Sequence, residues 1–305
     1  MIDELVAWLS APLVLATVSG FVRNKWCVRI MHIHLFIVAL VIVLYFWLRS
    51  RFADNVNDPT VDELDKRCML GYVEGMRVLQ YVPQVPPRRK VLLFPGVSNS
   101  VRRMLRYDFV KPLLKDCVIV CVQPRGLGES DRSVHMSKAT MLTDAKAAFD
   151  LLLPFDLPVH VMGFSAGGFM AIQLCATLDK HCYASLTLVG TMFDCVDMAL
   201  DMKVSCLALR MFQRALTIQV EQPVLLIHSE YDQQISILEC EKHMALRRQH
   251  ALPVKMVTVK GKHASYVLQN HQQQKISKFM RFTEGVHSQT LADYQILPPS
   301  PSQQH

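Results

Sequence analysis

Between Val91 and Val259 the chain alternates between short apolar runs and segments of helix length, and few folds accept that pattern. The runs are VLLF (91–94), VIVCV (118–122), VHVM (159–162), SLTLV (185–189), VLLIH (224–228) and VKMVTV (254–259). Each is apolar at nearly consecutive positions, as strands covered on both faces are. Segments 101–115, 137–153, 166–178, 196–218 and 236–248 separate them, and 264–282 follows the last; all are long enough for helices. Parallel neighbours need a crossover of that length, so the pattern predicts an α/β fold with a mostly parallel sheet wrapped by helices. Gly71 to Val82 adds an antiparallel edge strand ahead of it.

One junction in this pattern carries chemistry. Val159 to Gly168 reads VHVMGFSAGG: an apolar strand, then Gly-x-Ser-x-Gly, then small and apolar helix residues. A sharp strand-to-helix turn of this composition pushes one hydroxyl, that of Ser165, into the open. Gly163 and Gly167 form the nucleophile elbow, because side chains there would crowd the turn.

Four further features fall at the carboxyl ends of predicted strands, where open α/β sheets place their sites. Pro95-Gly96-Val97 follows the first strand, and QPRGLGES (123–130) follows the second. Asp232 follows 224–228 in HSEYD, and His263 follows 254–259 in GKH. Glu230 and Asp194 compete with Asp232 for an acidic role, and His271 and His243 compete with His263. Arg125 reads as a structural tie between the 124–130 loop and nearby carbonyls or carboxylates.

The order Ser, Asp, His, with GFSAGG and PRGLGES, resembles the serine hydrolases of the α/β-hydrolase fold over roughly residues 70 to 283, and the membrane-anchored lipases and esterases among them. The resemblance implies Ser165 as nucleophile, His263 as general base and acid, and Asp232 as the group orienting the imidazole. It implies backbone N–H donors at Val97 and Ala166 for an oxyanion. Two departures stand out: Pro95-Gly96 replaces the His-Gly of many relatives, and Gln123-Pro124 stands where Asp or Asn often precedes the Arg-Gly pattern. The oxyanion donor is a backbone group, so the first departure is compatible with activity; the second bears on the local loop conformation.

The N-terminus has a different character. Ile30 to Leu48 runs 19 residues without Lys, Arg, Asp or Glu, and Leu5 to Val22 runs 18. A bilayer-spanning helix needs about 20 mostly apolar residues. Tyr45, Trp47, Arg49 and Arg51 form an interfacial anchor at the end of the second run. The expectation is therefore an integral membrane protein with one or two N-terminal transmembrane helices within residues 1–50, in the endoplasmic reticulum or another endomembrane. A linker follows over 51–70, a hydrolase domain over 71–283, and a disordered tail over 284–305. His32 and His34 lie near the start of the second run and read as interfacial groups.

The net charge of +7 suits an anionic bilayer surface; no aromatic-and-basic reading surface points to nucleic acid. The nine cysteines are odd in number and lack CxxC spacing, so they read as small buried hydrophobes. No metal-ligand cluster or phosphate-cradling loop is visible, and neither metal nor cofactor is expected. Relatives often carry a lid between the fourth and fifth strands. Here 192–220 is rich in Met, and Met192, Met198, Met202 and Met211 are candidates to line an acyl pocket or, equally, to face a core. A lid and an anchor together suggest a lipophilic ester substrate of the monoacylglycerol or lysophospholipid type. An acyltransferase, thioesterase or serine peptidase with the same triad, and a catalytically silent membrane-tethered binding protein, are the alternatives.

Overall fold

The computed structural model describes residues 67–97, 99–134, 138–152, 156–191, 193, 217–263 and 265–296. The proposed anchor, residues 1–50, and Met192, Met198, Met202 and Met211 lie outside the described residues. Within the described residues no helix is long and apolar enough to cross a membrane.

The sheet opens with a hairpin. β1 (Cys68–Val73) pairs antiparallel with β2 (Met76–Tyr81), Cys68 opposite Tyr81 and Val73 opposite Met76. Between them Glu74 and Gly75 both take positive φ, 50° and 81°, as a tight two-residue hairpin turn demands. The single edge strand expected over Gly71–Val82 is thus two strands. The first reaches back into what the sequence reading assigned to the linker.

β3 (Arg89–Phe94), β4 (Cys117–Gln123), β5 (Val159–Phe164), β6 (Ser185–Val189), β7 (Val224–Ser229) and β8 (Val254–Val259) complete a sheet ordered β1-β2-β4-β3-β5-β6-β7-β8. β2 runs antiparallel to β4, and β4 to β8 all run parallel with β3. Helices α1 (Val101–Met104), α2 (Lys138–Asp150), α3 (Ala166–Cys175), α4 (Ile237–Gln249) and α5 (Asn270–Ile296) connect or follow them.

The central strands are buried on both faces, and their alternation divides two cores. Leu92, Phe94, Val120, Val161, Leu186 and Leu226 join Met141, Phe149 and Ile172 on one side. Val91, Leu93, Ile119, Met162, Leu225 and Ile227 join Met104, Phe109, Ile276 and Met280 on the other. Because β3 to β8 are parallel, their carboxyl ends share one edge, where Phe94, Gln123, Phe164, Val189, Ser229 and Val259 end their strands.

Three expectations are corrected. Segment 101–115 is not one helix: α1 ends at Met104, and a 3-10 turn covers Lys111–Leu113. Pro112 has no N–H to extend a helix, and Tyr107 turns inward to donate its hydroxyl to Asn99 Oδ1 at 2.5 Å. β8 is an edge strand with Lys255 and Thr258 exposed, so it is not covered on both faces. The helix at the C-terminal end continues to Ile296, through residues expected to be disordered. Glu284, the first residue of that stretch, is held by Arg89 at 2.5 Å and His160 at 3.1 Å. Residues 297–305 lie outside the described set.

Candidate active site

Ser165 lies between Phe164, the last residue of β5, and Ala166, the first of α3. Its backbone adopts φ 54° and ψ −124°, a combination L-residues rarely take and that costs of order 1–3 kcal/mol. The turn is held on both sides: Ser165 N–H donates to Val189 O at 2.9 Å, and Gly168 N–H donates to Ser165 O at 3.0 Å. The two elbow glycines have steric reasons. A Cβ on Gly163 would lie 2.5 Å from Gly167 O, and one on Gly167 would lie 2.2 Å from Phe94 O. Both obstacles are backbone, so neither can swing away.

His263 follows β8, and its ring stacks on Phe164 with centroids 5.2 Å apart. Its Nε2 stands 2.9 Å from Ser165 Oγ, and its Nδ1 2.7 Å from Asp232 Oδ2. The carboxylate accepts only, so Nδ1 carries the proton and Nε2 offers a lone pair to the serine hydroxyl. Asp232 is placed by the turn after β7; its Oδ1 accepts from the backbone N–H groups of Gln234 at 2.8 Å and Ile235 at 2.9 Å. Burial pushes the carboxyl up, but hydrogen bonds from His263, Tyr266 and Ile235 outweigh it and hold the pKa down, to about 2. The group is ionised at neutral pH inside a water-poor site. Ser165 itself is only half-buried, which leaves the hydroxyl open to a reactant.

Three of the four competing residues are among those described. Glu230 and His271 are exposed, and Asp194 is outside the described residues. His243 is buried on α4, where it hydrogen-bonds Thr217 Oγ1 at 3.0 Å and stacks on Phe193 at 3.9 Å.

Ala166 directly follows Ser165, and Val97 directly follows Gly96, which lies against Ser165. A Cβ on Gly96 would lie 3.1 Å from Ser165 Cβ, so the Gly96–Val97 turn runs directly against it. Ala166 opens α3, where an N–H has no carbonyl one turn back and the positive end of the helix dipole lies. The 123–130 loop that departs from the expected pattern is fastened by that departure. Gln123 Nε2 donates to Asn99 O at 3.1 Å, and its Oε1 accepts from Glu129 N–H at 3.0 Å. Arg125 Nε donates to Asp144 Oδ1 at 2.8 Å, tying the same loop to α2.

Two residues absent from the sequence reading join the site. Tyr266 donates its hydroxyl to Asp232 Oδ2 at 2.5 Å. His228 Nε2 lies 3.8 Å from the same oxygen and donates to Ile235 O at 2.9 Å. Tyr266 stands three residues after His263, and that spacing was the available signal; His228 ends an apolar run and looked like any strand residue. Among the described residues no cluster of His, Cys, Asp and Glu is arranged to hold a metal ion.

A parallel sheet wrapped on both faces, with a strained serine at a strand-to-helix turn and a histidine and carboxylate brought to it from later loops, belongs to a known architecture. A family profile described as the alpha/beta hydrolase fold matches residues 91–216. The chain has the α/β-hydrolase fold. Solved structures with this fold include Est1E from Butyrivibrio proteoclasticus, 15% identical with a TM-score of 0.54, over 72% of this chain and 99% of that one. The Pyrococcus furiosus esterase Pf2001 is 15% identical, TM-score 0.58, over 74% and 94%. A membrane phospholipase A, described as a bacterial virulence factor, is 15% identical, TM-score 0.54, over 94% and 99%. At such identities the likeness of this α/β-hydrolase-fold chain to them is one of fold. Comparison with curated proteins gave no match.

Proposed function

We propose that the chain is a membrane-anchored serine hydrolase that cleaves carboxylic esters of lipophilic substrates, of the monoacylglycerol or lysophospholipid type, through an acyl-enzyme on Ser165. The observation that carries this reading is the continuous array Ser165 Oγ to His263 Nε2 at 2.9 Å and His263 Nδ1 to Asp232 Oδ2 at 2.7 Å. Ser165 Oγ attacks the ester carbonyl carbon as His263 Nε2 takes its proton. Asp232, ionised and fully buried, holds the imidazole in the required tautomer and stabilises the imidazolium. The oxyanion lies against the Val97 and Ala166 N–H groups, each such donor typically worth about 2.7–4 kcal/mol. The tetrahedral adduct collapses, His263 returns its proton to the leaving alkoxide, and the acyl group stays on Ser165. Water, deprotonated by His263, then releases the acid.

The lipophilic substrate rests on other support: the two apolar N-terminal runs, the Met-rich 192–220 segment, and the fold-level likeness to a structure described as a membrane phospholipase A. Full-length protein in bilayers, presented with a monoacylglycerol, a lysophosphatidylcholine and a short-chain ester, is expected to release fatty acid from the long-chain lipids preferentially. Ser165→Ala is expected to lose about 10⁴-fold or more of that turnover. Full activity in Ser165→Ala contradicts the mechanism, and a preference for the short ester contradicts the substrate class.

A further inference from the structure

We propose that Tyr266 is a positioning residue of this site: its hydroxyl shares Asp232 Oδ2 with His263 and thereby sets how strongly the carboxylate pulls on the imidazole. The proposal rests on the hydrolase reading above.

An ionised carboxylate offers about four acceptor positions, two on each oxygen. At Asp232 all are filled. Gln234 and Ile235 N–H occupy Oδ1, and His263 Nδ1–H and Tyr266 O–H occupy Oδ2. The phenol is therefore a direct competitor of the imidazole for one oxygen. Its place is built in. Gly261, at φ 107°, turns the chain back so tightly that a Cβ there would lie 2.1 Å from Ser265 O. Tyr266 is thereby carried to the same carboxylate as His263. At Gly190, after β6, a Cβ would lie 2.7 Å from the Tyr266 hydroxyl, so a side chain there would displace the donor. The Tyr266 ring is buried and meets His263 edge-on, centroids 6.4 Å apart at 85°.

The titratable groups facing this phenol are Asp232 and His228 from β7 and its turn, His263 from its own loop, and Cys240 from α4. Burial, with the Asp232 carboxylate beside it, raises the Tyr266 pKa, so the hydroxyl remains a donor throughout the working range. Burial lowers that of His228 and raises that of Cys240 to about 12, so both are neutral near pH 7. The donor's removal has a definite sign. Without it Oδ2 carries more negative charge, the Asp232–His263 pair binds its proton more tightly, and the acid limb of kcat/KM, which belongs to the pair, moves to higher pH. The carboxylate also loses one restraint on its orientation, so kcat falls while KM stays.

The test compares wild-type full-length protein with Tyr266→Phe, which keeps the ring packing, and with Gly190→Ala, which keeps the phenol but crowds its hydroxyl. The pH profile of kcat and kcat/KM is measured on a p-nitrophenyl ester, and the downfield Nδ1–H proton resonance of His263 is titrated by NMR. Both variants are expected to lower kcat by about 3–10-fold, leave KM unchanged, and raise the acid-limb midpoint and the NMR midpoint by about 0.5–1 pH unit. A uniform loss of rate with an unmoved midpoint, or no change at all, overturns the proposal. Absence of turnover in folded wild type strikes the hydrolase reading instead, and the NMR midpoint still decides the role of Tyr266.

Discussion

Ser165 is held in a backbone conformation that the surrounding hydrogen bonds must impose, and His263 and Asp232 are fixed to it by rigid contacts at both ends of the imidazole. Asp232→Asn is the substitution that separates geometry from chemistry. The amide is isosteric, but it can donate toward Nδ1 and favour the wrong imidazole tautomer. The expected outcome is a folded protein with thermal unfolding within a few degrees of wild type and kcat lower by about 10⁴. Steady-state kinetics alongside a melting curve checks it; near-normal kcat would remove Asp232 from the proposed role. At this scale the sequence was most informative about Ser165, because the elbow glycines are dictated by backbone clearances of 2.2–2.5 Å that leave a mark in residue type. Tyr266 left no such mark, since a buried donor to a carboxylate can come from several residue types on any nearby loop.

Among the elements, α5 has a tie the pattern of apolar runs does not reveal. Glu284 on α5 meets Arg89 from β3 at 2.5 Å and His160 from β5 at 3.1 Å; Arg89 also reaches Asp116 at 3.1 Å, and His160 Nδ1 lies 2.8 Å from Ser185 Oγ. Burial pushes the Glu284 carboxyl up, but His160 and Arg89 more than offset this and hold it below the usual carboxylate range. A depressed acid contributes stability that is present above its unfolded pKa, near 4.3, and is lost as pH falls through the lower folded value. Burial also lowers the His160 pKa, so acid stability begins to decline below about pH 6.5, where the unfolded histidine takes up a proton. Glu284→Gln, which leaves the buried Arg89 paired with Asp116 alone, is expected to cost about 1–3 kcal/mol near pH 7 and to converge with wild type toward pH 2. Melting temperature against pH for both proteins tests it; a gap that stays constant down to pH 2 contradicts this role for the ion pair. The elements that sequence missed share one cause. The β1–β2 turn, the short α1 and the length of α5 are each decided by local turn conformations or long-range polar contacts, whereas apolar periodicity reports only burial.

For the whole molecule, the order of strands and helices was legible because a parallel sheet covered on both faces forces continuous apolar runs and long crossovers. The edges were less legible: β8 exposes Lys255 and Thr258, and β1 exposes Met69, Gly71 and Tyr72. The site was legible to the extent that its members fall at the carboxyl ends of strands, since a parallel sheet gathers those ends along one rim. The chain thus brings the Ser165 hydroxyl and the His263 imidazole together from positions 98 residues apart. Full-length protein, treated with a fluorophosphonate probe and mapped by peptide mass spectrometry, reports directly on whether that hydroxyl is activated. A single phosphonylated serine, Ser165, is expected, with labelling abolished in Ser165→Ala. Folded wild-type protein that stays unlabelled, or that is labelled at another serine, would contradict the proposed mechanism.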